Sequence, residues 1–266
     1  MLVNLHTHTT FCDGKNTPEE IVLAAIDQGF STIGFSGHGN TPYDLRYCMT
    51  DVEGYIREVS RVRQIYGDRI EILLGLEEDG FAPADRSRFD YIIGSLHYVL
   101  LDGEYLPVDS GPEYIRKCLE ICGGDPCRVA ESYYSALCGY LKARKPDIIG
   151  HFDLITKYDE SDTPFFTGCN GYAEIARRYL EVAVKCGCLF EVNTGAMARG
   201  LRTTPYPSGE LLHILKKHDA GIILSSDSHS AGTLDFGFGE ARALLRDIGF
   251  TYVYTWCRGQ FVKVPL

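Results

Sequence analysis

His6-Thr7-His8 closes a short apolar run at the start of the chain, and the same placement recurs along it. Gly37-His38-Gly39, Leu76-Glu77-Glu78-Asp79, Ser95-Leu96-His97, Gly150-His151-Phe152-Asp153 and Ser226-Asp227-Ser228-His229 each close a later run. Residues i and i+2 of a strand project to one face, so His6 and His8 can hold one metal ion. Imidazole mixed with carboxylate suits Zn, Fe, Mn, Co or Ni better than Mg or Ca. Six of the eight histidines lie at these run ends, beside several carboxylates. That exceeds one four-coordinate site and predicts more than one ion. Two or three clustered ions suit hydrolysis of phosphate esters, where they neutralise phosphoryl oxygens and acidify a water. The other two histidines, His213 and His218, fall on a helical stretch and are expected to be solvated.

The elements that must position these groups are legible. The apolar runs are Leu2–His6, Thr32–Gly37, Ile70–Gly75, Tyr91–Leu96, Asp147–Gly150, Leu189–Val192 and Gly221–Ser225. They alternate with helical stretches, which predicts parallel strands with crossover helices. Thr17-Pro18-Glu19-Glu20 starts the first helix, which runs to Gln28; the second spans Asp51–Tyr66. Others are expected near Pro112–Ile121, Cys127–Lys145, Gly171–Lys185, Ser208–His218 and Gly239–Ile248. Thr251–Trp256 and Gln260–Val264 predict a hairpin around Arg258-Gly259. An open doubly wound sheet has the same alternation. Polar groups at the ends of many strands, rather than at one switch point, favour a barrel with its site at the C-terminal mouth.

The length of 266 residues fits one such α/β domain, expected to span 1–266. Lys plus Arg number 26 against 36 Asp plus Glu, and 26 − 36 = −10 disfavours a nucleic-acid partner. No apolar stretch is long enough for a membrane span. The ten cysteines include no C-x-x-C, and His6 leaves no room for a signal peptide ahead of the fold. Reduced thiols and a cytoplasmic location are therefore expected.

H-T-H-T, G-H-G, G-L-E, L-H-Y, G-H-F-D and S-D-S-H, in this order, resemble the polymerase and histidinol phosphatase (PHP) superfamily over nearly the whole chain. Residues 147–155, 190–195, 199–207 and 235–240 look most like its monofunctional histidinol-phosphate phosphatase branch. The resemblance implies a distorted seven-stranded (β/α) barrel with a trinuclear centre of divalent transition metals (Zn, Fe or Mn). Carried over by position, His6, His8, Glu77 and Asp227 would hold the first ion. Glu77 would bridge to a second, held also by His97 and His151. Asp13, His38 and His229 would hold the third. Other members carry histidine where Asp13 stands, and a carboxylate there is a harder ligand.

Related phosphatases can carry a phosphate-binding arginine where this chain has Lys157. The alternative for Lys157 is a solvated surface lysine. Arg199 and Arg202 follow the sixth strand on the ligand side of a barrel and are candidates to touch substrate. Asn193, at that strand's end, would orient a ligand or the substrate. The segment 105–113 would rim the mouth, where Asp109 and Glu113 could meet an amine or imidazole. The implied activity is hydrolysis of L-histidinol phosphate, a small phosphate monoester. A water or acid near the third ion, with Asp227 or His229 as candidates, would protonate the leaving oxygen. The rivals are another PHP-type phosphatase or phosphodiesterase, acting on a nucleotide or sugar phosphate, and a non-catalytic module that has lost its ligands.

Overall fold

The helices start where the sequence offers donors a partner. In a computed structural model describing residues 2–266, the Thr17 hydroxyl accepts from Glu20 N–H and the Glu20 carboxylate accepts from Thr17 N–H. That reciprocal cap opens α1 (Pro18–Asp27). Asp51 caps α2 (Val52–Tyr66), and Asp125 with Pro126 opens α4 (Pro126–Arg144), which follows α3 (Pro112–Ile121). Next come α5 (Tyr172–Val184), the single turn α6 (Gly195–Ala198), α7 (Gly209–Lys217) and α8 (Phe238–Ile248). Among the described residues, no helix is long and apolar enough to cross a membrane.

The strands are β1 (Val3–Asn4), β2 (Thr32–Phe35), β3 (Glu71–Asp79), β4 (Tyr91–Ser95), β5 (Tyr98–Leu101), β6 (Glu104–Pro107), β7 (Ile148–Ile149), β8 (Leu189–Asn193), β9 (Ile222–Ser225), β10 (Tyr252–Cys257) and β11 (Gln260–Pro265). One sheet runs β1-β2-β3-β4-β7-β8-β9-β10-β11 and is parallel except for β11. β5 and β6 form a separate hairpin, of which only the end of β6 falls within the segment 105–113 expected as a rim.

A closed seven-stranded barrel is not found. β1 is two residues long, too short to ladder with β9, and β10 takes the β9 edge at Tyr254 opposite Ile223. The extensions of β1 and β9 meet in a single parallel bridge, Thr7 opposite Ser228. There His8 N–H donates to Ser228 O at 2.8 Å and Ser228 N–H to His6 O at 3.0 Å.

The base of the sheet's concave side is apolar: Leu5, Leu73, Ile93, Ile148, Ile223 and Trp256 pack around Tyr91. Gly34 and Gly75 make room for that ring, since a Cβ on Gly75 would lie 2.2 Å from it. On the outer side, Val22 of α1 and Val59 of α2 pack on Ile33 and Ile72, while α4, α5, α7 and α8 cover Phe190 and Ile222. These layers bring the C-terminal ends of β1–β4 and β7–β9 to one polar mouth, while β10 ends at the base, where Trp256 Nε1 donates to Glu71 Oε1.

Candidate metal centre

Each donor at the mouth is held by its strand end. The Asn4 carboxamide spans the β1 and β9 extensions, accepting from His6 N–H and Ser226 N–H at 3.2 Å and donating to Ser226 Oγ at 2.8 Å. That fixes the segment from which His6 and His8 point inward, both fully buried. Asp13 enters from the following turn, where Gly14 lies so close that a Cβ would sit 2.5 Å from the His8 carbonyl carbon. His38 extends β2 and bridges to Glu77 of β3. His97 follows β4 and donates its main-chain N–H to Asp79 Oδ2 at 2.9 Å. His151 follows β7 and donates likewise to Glu191 Oε1 at 2.6 Å. Asp227 takes a left-handed φ of 46° just past β9, bringing its carboxylate and His229 into the mouth.

Glu77 is the hub. Its Oε2 lies 3.3 Å from His6 Nε2, 3.5 Å from His8 Nε2 and 2.9 Å from His38 Nδ1; its Oε1 lies 3.3 Å from His97 Nε2 and 2.9 Å from His151 Nε2. Asp227 Oδ1 is 3.1 Å from His8 Nε2, and Asp13 Oδ2 is 3.2 Å from His229 Nε2 and 3.6 Å from His38 Nε2. Three overlapping groups have metal-holding geometry: His6, His8 and Glu77; His38, Glu77 and His97; and His8, Asp13, His38 and His229.

Burial pushes Glu77 toward its neutral form, but His6, His38 and His97 hold its carboxyl well below the usual range. Burial lowers His38 too, yet Glu77 and Asp13 raise it to about 9. His8 goes the other way: burial, with His229 and His38 beside it, pushes it down to about 3. A neutral His8 presents a lone pair. His6 Nε2, His8 Nε2 and Glu77 Oε2 are all buried and have no hydrogen-bond partner among the described residues. Lone pairs aimed at one another at these distances lack a cation, and the imidazole–carboxylate donor set fits a divalent transition metal.

A cleft of about 370 Å³ opens over the cluster, with Asp13, Arg199 and His229 along one wall and Asp44, Asp109 and Lys157 among its other lining. Lys157 is not a solvated surface lysine: it is 8% exposed, and its ammonium donates to Asp109. Arg199 Nη2 donates to Asp227 Oδ2 at 3.2 Å, and its Nη1 lies 3.1 Å from His229 Nδ1. Two of the candidates lie outside the cleft lining. Arg202 does not line the cleft: its guanidinium donates to Thr156 O and Oγ1 at 2.9 and 2.8 Å and stacks over Tyr206. Asn193 is fully buried behind the cleft, donating to Glu191 Oε1 and accepting from Gly195 N–H, both at 2.8 Å. It steadies Glu191 and, through Glu191, the His6 ring.

Glu191 and Asp79 lie within the quoted motifs, which assign neither of them a role. Glu191 Oε2 lies 2.7 Å from His6 Nδ1, and Asp79 Oδ2 lies 3.3 Å from His97 Nδ1. Each carboxylate orients a ring so that its other nitrogen faces Glu77. The available signal was one acidic residue within the otherwise apolar run Leu189-Phe190-Glu191-Val192. His213 and His218 are exposed on and beside α7, and all ten cysteines are free.

The PHP domain model matches residues 4–195, a span that holds seven of the nine expected donors; Asp227 and His229 lie beyond it. The chain belongs to the PHP domain family. A probable histidinol-phosphatase of Schizosaccharomyces pombe is 29% identical, with 94% of this chain and 88% of the relative covered. The histidinol-phosphatase of Bacillus subtilis is 24% identical over 88% of this chain and 95% of its own. Among solved structures, the fold is similar to that of histidinol phosphate phosphatase from Lactococcus lactis, crystallised with Zn, L-histidinol and phosphate. Its TM-score is 0.68 at 21% identity, with 98% of this chain and 99% of that chain covered.

Proposed function

We propose that this single-domain PHP chain is a cytoplasmic metal-dependent phosphomonoesterase that hydrolyses L-histidinol phosphate to L-histidinol and phosphate in histidine biosynthesis. Its relatives named histidinol-phosphatase match along most of its length. The observation that carries the chemistry is Glu77, buried among five imidazoles under an open cleft. In this reading the parallel strands form a distorted barrel whose β1 and β9 extensions are joined by the Thr7–Ser228 bridge and by the Asn4 carboxamide.

In this reading three divalent transition-metal ions, Zn, Fe or Mn, occupy the mouth. His6, His8, Glu77 and Asp227 hold one; Glu77, His97 and His151 hold another; Asp13, His38 and His229 hold the third. When bound, such ions neutralise phosphoryl oxygens and make a water acidic enough to attack. The chain's own groups do the rest. Lys157 and Arg199 supply positive charge from the cleft walls. Glu191 and Asp79 keep His6 and His97 in the tautomer that points a lone pair inward. A water or acid near the third ion, with Asp227 or His229 as candidates, would protonate the leaving oxygen; both residues contact the Arg199 guanidinium.

Steady-state kinetics on L-histidinol phosphate beside nucleotide and sugar phosphates test the reading, with metal analysis of the same preparation. Preference for L-histidinol phosphate with three ions per chain is expected. Equal or faster turnover of a sugar phosphate would overturn the substrate, and a metal-replete chain holding one ion or none would overturn the centre.

A further inference from the structure

Asp109 and Lys157 form an ion pair inside the cleft over the cluster. Lys157 Nζ donates to Asp109 O at 2.9 Å and to Oδ2 at 3.3 Å. Tyr158 Oη donates to the same main-chain oxygen at 2.6 Å, which fixes the Asp109 backbone beside the lysine. Among the described residues, Lys157 is the one side chain that donates to the Asp109 carboxylate. The other cleft carboxylates are differently engaged. Asp44 is gripped by Arg46 from both oxygens and accepts from Tyr98 Oη at 2.8 Å, while Asp13 and Asp227 belong to the donor cluster.

A phosphate dianion entering this cleft competes with Asp109 for the Lys157 ammonium. If it wins, Asp109 is left as an uncompensated carboxylate in a partly closed site, and stranding one half of such a pair is costly. A ligand that carries its own cation beyond the phosphate removes that cost. We propose that substrate exchanges this pair: the phosphate takes Lys157, Asp109 takes the substrate's ammonium, and the cleft thereby selects phosphate esters bearing a cationic amine. The inference rests on the phosphomonoesterase reading and deepens it by naming the groups that read each end of the substrate. Because one pair is opened for both ends, phosphate and amine must help each other bind, and by equal factors.

The test uses the metal-loaded enzyme and Asp109→Asn. By calorimetry, inorganic phosphate should tighten L-histidinol binding by about fivefold or more in the parent, the usual range for coupled sites. The coupling should vanish in Asp109→Asn and in Lys157→Ala, each checked for unchanged metal content and melting temperature. In kinetics, Asp109→Asn should lose about tenfold or more in kcat/KM on L-histidinol phosphate, the worth of a charged hydrogen bond. It should lose nothing on the same ester lacking only its amine. Equal losses on both esters would overturn the exchange and reduce Asp109 to a residue that positions Lys157. Coupling that persists in Asp109→Asn would overturn it as well. A parent that shows the coupling yet prefers another amine-bearing phosphate ester would overturn the substrate reading while supporting the exchange, and preference for an amine-free sugar phosphate would overturn both.

Discussion

Glu77 and Glu78 are neighbours on β3, each 1% exposed, and the fold treats them in opposite ways. Glu78 faces the outer layer and is completed by protein donors: Tyr140 Oη and Ala84 N–H at 2.7 Å and the Arg144 guanidinium at 2.9 Å. Glu77 faces the mouth, where its neighbours are imidazoles and its Oε2 finds no hydrogen-bond partner. Burying a carboxylate is expensive in both places. On the outer face the protein meets that cost itself, whereas on the inner face the arrangement is finished only by a cation. The distinction separates a structural carboxylate from a functional one more sharply than burial does.

Replacing each by its amide is the strongest way to break the contrast. Glu77→Gln should lower activity by more than the roughly 10–100-fold typical of residues that merely orient ligands, and bound metal should fall with it. Glu78→Gln should keep its metal and turnover while losing about 1–3 kcal/mol of stability, because Arg144 is left underpaired. Kinetics, metal analysis and denaturant melts on the two variants decide the matter. Comparable activity losses would mean that the inner face is not special.

Lys157 and Arg202 extend the comparison to cations, since both are 8% exposed. The Arg202 fork is spent on Thr156 and Thr204 and its plane lies on Tyr206, whereas Lys157 lines the cleft. Lys157→Ala should cut kcat/KM about 10- to 150-fold, the worth of one charge-assisted hydrogen bond of about 1.5–3 kcal/mol, with metal content unchanged. Arg202→Ala should instead lower the melting temperature and leave kcat/KM near the parent value. An Arg202→Ala enzyme as crippled as Lys157→Ala would put Arg202 back among the substrate contacts.

Glu191 tests the contrast one step further from the reaction. It is buried like Glu78 and well supplied with donors, namely His151 N–H, Asn193 Nδ2 and Ser225 Oγ, yet its remaining contact is His6 Nδ1. Glu191→Gln should weaken metal affinity about 10- to 100-fold by loosening the His6 ring, a loss that added metal restores. Titration of the apoprotein with Zn reads it. An unchanged affinity would show that Asn4 and the Thr7–Ser228 bridge suffice to aim His6.

Much of this was legible in the chain itself, for reasons that particular residues make plain. The Thr17-Pro18-Glu19-Glu20 start and the run-end histidines are local signals, and the elements they announce lie within a residue or two of expectation. What depends on partners distant in sequence was not legible. Arg202 looked like a cleft cation until Thr156 and Glu160 came to meet it. Glu191 was one acid in an apolar strand until His6, 185 positions away, turned towards it. The Asp102-Gly103 turn that joins β5 to β6 lies just ahead of the expected rim and outside the expected elements, although an Asp-Gly pair is a strong hairpin signal. Whether the sheet closes was equally hidden, because β1 pairs too briefly for its edge to be judged from pattern.

The smallest expected effect lies at the opposite end of the sheet from the cluster. Tyr91 fills the base, its ring resting where Gly34 and Gly75 leave space and its hydroxyl donating to the Leu5 and Phe35 carbonyls. Those oxygens belong to the strands that carry His6 and His38 outward, so the base braces the mouth through the backbone alone. Tyr91→Phe keeps the ring and removes only the hydroxyl. The Leu5 carbonyl then loses a buried donor, at a cost of about 1–3 kcal/mol. The donors at the mouth have their own fixings in Asn4, Asp79 and Glu191, so turnover and metal content should stay at the parent level while the denaturation midpoint falls. A loss of metal in Tyr91→Phe would show that base and mouth are one mechanical unit, and that the separation drawn from Glu77 and Glu78 holds across a strand but not along it.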